Sequence, residues 1–207
     1  MIGKVYDDYT AYNLNQLANI LKYASKQKDG EDMALLIARK YGTLDRCFAA
    51  TVEELEALVG KKAATFIKVL ASVTSRRITD SFEFGKIQSA MKIGEYFSAR
   101  LISESVEVVL AMYLDENGIP VSSRIVGEGT VNMSDITARR ILEGAVDTGC
   151  KRVIIAHNHP KGIAKASEED TNMTAKLART LMRAGVTLEY HLVVSGVECD
   201  TVDFDVK

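Results

Sequence analysis

The chain of 207 residues has no tryptophan, two prolines and three cysteines. So little proline excludes a Pro-rich linker or a disordered protein. Cys47, Cys150 and Cys199 are odd in number and widely spaced, which argues against a disulfide framework and for the reduced thiols of a cytosol. No run approaches the roughly 18–20 uncharged apolar residues of a membrane-spanning helix. The opening stretch, Met1-Ile2-Gly3-Lys4-Val5-Tyr6-Asp7-Asp8, has no apolar signal-peptide core. The expectation is a cytoplasmic protein with no membrane partner. Neither sign of charge dominates. Residues 1–87 carry 13 basic and 11 acidic side chains, and residues 88–207 carry 13 and 17. That is far from the basic face of a strong nucleic-acid binder, and leaves weak DNA contact open for the first half alone.

What is present is enough apolar material for a core, 47% of the chain, at a length that suits one large domain or two small ones. The first half has helical periodicity. Leu14, Leu17, Ala18, Leu21 and Ala24 recur at three- and four-residue steps. Asp32 is a candidate cap for a second helix that ends at Gly42. Thr51 and Glu54 have the spacing of a capping box for a helix that stops at Gly60. A longer helix is expected from Lys61 to about Arg77, then a connector over 82–87 and a helix from about Gln88 to Leu101. The second half changes period. Val106–Tyr113 and Val121–Val126 predict a hairpin around Asp115-Glu116-Asn117-Gly118. A helix follows over Asp135–Thr148 with Ile136, Ile141, Leu142 and Ala145 inward. A short buried strand, Arg152–Ala156, precedes a helix over Glu168–Ala184 and a strand over Leu188–Ser195. The expected division is a small all-α unit, residues 1–85, and an α/β unit, residues 86–207.

Chemistry concentrates after the buried strand, in His157-Asn158-His159-Pro160-Lys161-Gly162. Histidines at i and i+2 leaving a strand can turn their rings to one side, which suits a metal needing convergent imidazoles. Asp170, ten residues beyond His159, is a candidate third ligand. Three protein ligands with an open fourth position form a catalytic rather than a structural zinc arrangement. A bare His-x-His is weak by itself, Ser167-x-x-Asp170 alone is a helix N-terminal box, and Pro160 with Gly162 alone makes a turn. Their compatible spacing beyond one strand turns the reading toward a site.

His157-x-His159-Pro160 followed by Ser167-x-x-Asp170 resembles the signature of the JAMM (MPN+/JAB1) metallopeptidases. Together with Gly129-Thr130-Val131-Asn132, Arg139, Val153–Ala156 and His191-Leu192-Val193-Val194, it resembles the RadC family, historically labelled DNA-repair proteins. The likeness covers roughly residues 100–197. The stretch Met33–Arg77 is similar, less specifically, to that family's helix-hairpin-helix region. The fold implied is α/β (α+β): a JAMM/cytidine-deaminase-like mixed sheet with flanking helices, preceded by a small all-α domain. The resemblance implies that His157, His159 and Asp170 bind Zn2+, and that Ser167 steadies the oxyanion of a tetrahedral intermediate. It implies a substrate that is a peptide or has an isopeptide-like amide, cleaved by zinc-activated water.

Two departures stand out. The family glutamate that moves the proton, counted back five residues from Gly129, falls on Arg124, which stays charged and takes no proton. Glu128 is one replacement, on the same face as Arg124 if the strand is regular but about 13 Å further on. Glu143 on the following helix is another. Lys161 also departs from the family's serine, and is either a contact for an acidic group or a solvated loop charge. In the helical half, Leu58-Val59-Gly60-Lys61-Lys62 has one glycine where the phosphate-gripping hairpin has two, with Lys61 and Lys62 as candidate phosphate contacts. Tyr6, Tyr9, Tyr12 and Tyr23 are candidates for base stacking, though most suit packing. His191 reads either as a support behind the metal or as a core histidine. Arg139 reads as a holder of a substrate carboxylate or a clamp on the turn. Cys150 and Cys199 lack partners at zinc spacing. Two rivals to a hydrolase stay open: a catalytically silent binding module of the same fold, and a DNA-repair accessory acting through the helical half. Oligomeric state is left open.

Overall fold

The computed structural model describes residues 16–22, 30–80, 82, 90–129, 133–160 and 162–205. Tyr6, Tyr9, Tyr12, Tyr23, Thr130–Asn132, Lys161, most of the connector at 82–87 and the start expected at Gln88 lie outside them. The side chain of Ile136 lies outside them as well.

Helical periodicity in the first half gives α1 (residues 16–22), α2 (Gly30–Tyr41), α3 (Leu44–Ala49) and α4 (Val52–Asp80). Asp32 is not the cap expected of it: α2 already begins at Gly30, and Asp32 sits in its first turn, where a carboxylate favours the positive end of the helix. Gly42, at φ +76°, ends α2 in a left-handed conformation that costs glycine little. The capping box at Thr51 forms, with Thr51 N to Glu54 Oε2 and Glu54 N to Thr51 Oγ1 both 3.1 Å. Within α4, Gly60 is the non-helical residue (φ +78°, ψ 161°), so two helices meet there as expected. Leu17, Leu21, Ile37, Leu55 and Ile67 bury together in one apolar cluster. Lys68 ties this cluster to the rest of the chain: its ammonium donates to the carbonyls of Phe48 (2.7 Å), Ala50 (3.1 Å) and Ser103 (3.1 Å).

From α5 (Ala90–Leu101) the chain builds a mixed five-stranded sheet in the order β2-β1-β3-β4-β5. The strands are β1 (Val108–Leu114), β2 (Pro120–Glu128), β3 (Arg152–Asn158), β4 (Thr187–Ser195) and β5 (Glu198–Thr201), with α6 (Met133–Thr148) and α7 (Glu168–Arg183) between them. β1 is buried at every residue because both faces of the sheet are covered, which is why its sequence is a continuous apolar run rather than an alternation. Val109, Ala111, Tyr113, Val153 and Ile155 pack toward α6 and α7, against Ile141, Leu177 and Leu181. Val108, Leu110, Met112, Ile154 and Ala156 pack the other way, against Tyr96, Phe97 and Leu101 of α5. β1 pairs antiparallel with both β2 and β3, while β3 and β4 are parallel and joined through α7. The architecture is the α/β sheet with flanking helices expected from the sequence. Among the described residues no helix is long and apolar enough to cross a membrane.

Candidate metal centre

The parallel pair β3–β4 needs a crossover, and α7 supplies it. Its N-terminus therefore returns to the carboxyl end of β3, where ligands collect in sheets of this kind. His157 is the next-to-last residue of β3 and is 2% exposed. Its strand partner on β1 is Val109, so its ring lies on the α6/α7 face. Asn158 turns to the opposite face, and His159 follows beyond the strand, its amide bonded to Val194 O at 2.8 Å. Ser167 caps α7 and Asp170 is the N3 residue of the box. Ser167 Oγ and N both donate to Asp170 Oδ2, at 2.6 and 2.8 Å, and Asp170 N donates back to Ser167 Oγ at 3.1 Å. The cap thus holds the carboxylate in one orientation.

The ligand atoms of His157, His159 and Asp170 all lie within 4.8 Å of one another. His157 Nε2 is 3.0 Å from His159 Nε2 and 3.3 Å from Asp170 Oδ1, and His159 Nε2 is 3.8 Å from Asp170 Oδ2. Nitrogen and oxygen ligands each about 2.0–2.1 Å from a tetrahedral ion sit about 3.3 Å apart, and these separations bracket that value. Two imidazoles and one carboxylate are also the donor types zinc takes. The residues fit a divalent cation.

Electrostatics prepare the same state. Burial pushes the His157 pKa down to about 4; Asp170 opposes this more weakly, and His159 adds to it. Burial alone raises the Asp170 pKa, but the hydroxyl and amide of Ser167 and the two nearby imidazoles outweigh it and hold the carboxyl below its usual range. At neutral pH His157 is a free base and Asp170 an anion, the forms a cation requires. Behind them His191 of β4 is 1% exposed. Its Nε2 lies 2.8 Å from His157 Nδ1 and its Nδ1 2.6 Å from Thr174 Oγ1. It is both a core histidine and a direct neighbour of the first candidate ligand.

A profile of the RadC-like JAB domain matches residues 87–203. The chain belongs to the RadC-like JAB domain family. It is 29% identical over 185 residues to a UPF0758 protein of Cupriavidus taiwanensis, covering 88% of this chain and 81% of that protein. It is 29% identical over 182 residues to a UPF0758 protein of Neisseria meningitidis serogroup C (86% and 81% covered). With a UPF0758 protein of Fusobacterium nucleatum it shares 25% identity over 199 residues (91% and 85%).

Of the remaining candidates in this member of the RadC-like JAB domain family, Ser167 alone stands at the centre. Arg124 pairs with Asp147 of α6 at 2.9 Å and lies over the Tyr113 ring, so its charge is taken up away from the histidines. Glu128 does not share its face. Between Val109 and Leu110 the β1–β2 register shifts, with Val109 opposite Gly127 and Leu110 opposite Ile125. Val126 is the extra residue of a bulge, and a bulge inverts the alternation beyond it. Glu128 is paired with Val108, whose side chain packs toward α5, and is exposed. Glu143 is exposed and pairs with Arg139, itself exposed, at 2.9 Å. Ser167, expected to serve an oxyanion, has its one hydroxyl proton on Asp170. Lys61 and Lys62 stand exposed after Gly60. Cys47 and Cys150 are buried and Cys199 is exposed, and none joins the ligand group.

Two residues passed over in the sequence stand close to the site. Glu107, immediately before β1, is two residues from Val109, and strand alternation gives it the His157 face. It lines a cavity of about 540 Å3 together with His159, Pro160, Gly162 and Gly129. Asn158 is the second. Its Oδ1 accepts from Val108 N at 2.7 Å, and its Nδ2 donates to Val106 O at 3.0 Å and to Glu104 O at 3.4 Å. The side chain between the two histidines therefore grips the segment that carries Glu107.

Proposed function

We propose that this protein is a zinc-dependent hydrolase of amide bonds, with a peptide or isopeptide-like substrate. The observation that carries the reading is the convergence of His157 Nε2, His159 Nε2 and the Asp170 carboxylate at the end of β3. Zinc held by these three groups supplies Lewis acidity, polarising a carbonyl and acidifying a water. Glu107 is the proton carrier in this reading, supported by its place on the same sheet face and in a cavity shared with His159. Water is the nucleophile. Its oxygen bonds to the carbonyl carbon, one of its protons passes to the Glu107 carboxylate, and that carboxyl returns the proton to the amine nitrogen as the C–N bond breaks. A group that takes a proton and gives it back within one cycle accelerates such a reaction by about 10²–10⁴. Ser167 keeps the Asp170 carboxylate oriented, and Asn158 keeps the Glu107 segment on β3.

The test joins metal analysis to hydrolysis. Purified protein should hold about one zinc per chain, and His157→Ala should lose it. Cleavage of a library of peptide and ε-amino-linked amides should stop with chelation and return with zinc. Full zinc content in His157→Ala would remove this centre from the reading. Zinc bound at this centre without cleavage would leave a binding module of the same fold.

A further inference from the structure

The hydrogen bonds behind His157 have a direction. Thr174 Oγ1 lies 2.5 Å from the carbonyl oxygen of Asp170, one helical turn earlier. A carbonyl only accepts, so the single hydroxyl proton is spent there. Toward His191 Nδ1, at 2.6 Å, the hydroxyl can then only accept, and the proton in that bond belongs to Nδ1. His191 is buried, and among the described residues its two ring nitrogens meet His157 and Thr174 rather than a carboxylate, so a neutral ring follows and its Nε2 is a lone pair. Across the 2.8 Å contact His157 Nδ1 must therefore donate, and the remaining nitrogen, Nε2, faces the ligand cluster unprotonated. His159 reaches the same state separately: its Nδ1 donates to Ile163 O at 3.0 Å. Two lone pairs and a carboxylate thus converge with no protein proton between them.

We propose that Thr174 and His191 are positioning residues that fix His157 in the tautomer whose Nε2 can ligate, and so set the affinity of the centre for a divalent cation. The chain of bonds begins and ends on one residue. It starts at the Asp170 carbonyl and passes through Thr174, His191 and His157 to the cluster that holds the Asp170 carboxylate. The orientation of α7 and the tautomer of a β3 histidine are therefore coupled. Supports of this kind behind a metal-binding imidazole are worth about 10–100-fold in metal affinity. This inference rests on the metal-centre reading above.

The experiment uses the full chain stripped of metal and the variants Thr174→Val, which keeps the shape and deletes the hydroxyl, and Thr174→Ser, which restores it. Long-range proton–nitrogen spectra of histidine-labelled protein at pH 7.5 read the tautomer without metal. Zinc titration against a competing chromophoric chelator reads affinity. The parent should show His157 with its proton on Nδ1. Thr174→Val should bind zinc about 10–100-fold more weakly with a mixed tautomer signal, and Thr174→Ser should keep the parental tautomer and avoid that loss. A parent protein with the proton on His157 Nε2 overturns the proposal, as does Thr174→Val with parental affinity and tautomer. If Thr174→Val fails to fold, the parent spectrum and Thr174→Ser still decide. A parent that shows the expected tautomer but takes up no zinc overturns the metal-centre reading and, with it, the role in affinity.

Discussion

Asn158 Oδ1 accepts the backbone amide of Val108 at 2.7 Å, so a side chain does what a strand neighbour would otherwise do at the start of β1. The same carboxamide donates to Val106 O and Glu104 O. His157, Asn158 and His159 divide their work by face: alternation sends the ring of His157 to the metal side and the amide of Asn158 to the segment carrying Glu107. Asn158→Ala strands the buried amide of Val108 and removes a donor from the carbonyls of Val106 and Glu104. We expect a loss of about 2–3 kcal/mol of stability, read by urea unfolding, with zinc content retained and hydrolysis reduced. Stability equal to the parent would show that water replaces these bonds.

Glu107→Gln should keep zinc and fold while lowering kcat by about 10²–10⁴. Glu128→Gln should match the parent, since the bulge at Val126 turns Glu128 toward the α5 side. Single-turnover hydrolysis of an amide substrate separates the two. An active Glu107→Gln with an inactive Glu128→Gln would reverse the assignment.

His157, His159 and Asp170 were legible because two short-range rules acted together: alternation at a strand end and the spacing of a helix N-terminal box. The face of Glu128 was not legible. One extra residue in β2 inverts every side chain after it, and although a glycine inside a strand, here Gly127, is a mark of a bulge, it does not say which residue is the extra one. The parallel register of β3 and β4 brings His191 to His157, so both readings open for it in the sequence hold at once, and Thr174 joins it from α7, a contact that no local pattern encodes. α3 is six residues long, too short to display a period, and β5 is exposed at all four positions, so it carries no burial alternation to detect.

Tyr113 is fully buried, and its ring and hydroxyl press against the backbone of α6 at Gly144. A Cβ at Gly144 would collide with the Tyr113 hydroxyl, and neither the ring nor the helix has room to yield in a packed core. Gly144→Ala should therefore destabilise by about 1–3 kcal/mol, despite alanine's better helix propensity. Pairing it with Tyr113→Phe, which removes the clashing oxygen, should recover part of the loss in thermal unfolding. A neutral Gly144→Ala would mean that α6 shifts freely on the sheet.

Acid should weaken the metal-free protein before it touches most carboxylates. An imidazole in the unfolded chain takes up its proton near 6.5, whereas burial holds His157 to about 4 and His191 to about 3 in the fold. Between those limits the unfolded state binds more protons, so stability falls as pH falls. The histidine contribution is complete above about pH 6.5 and drains away on descent toward the folded values, approaching about 1.4 kcal/mol per pH unit for each ring. Asp170, held below its ordinary range, adds a loss of the same sign at lower pH. Urea unfolding of chelator-treated protein at a series of pH values from 7.5 to 4.5 measures the slope. Zinc should steepen it, because bound cation must be surrendered as the ligands protonate. A flat stability profile between pH 6.5 and 5 would mean that neither ring is held neutral by burial.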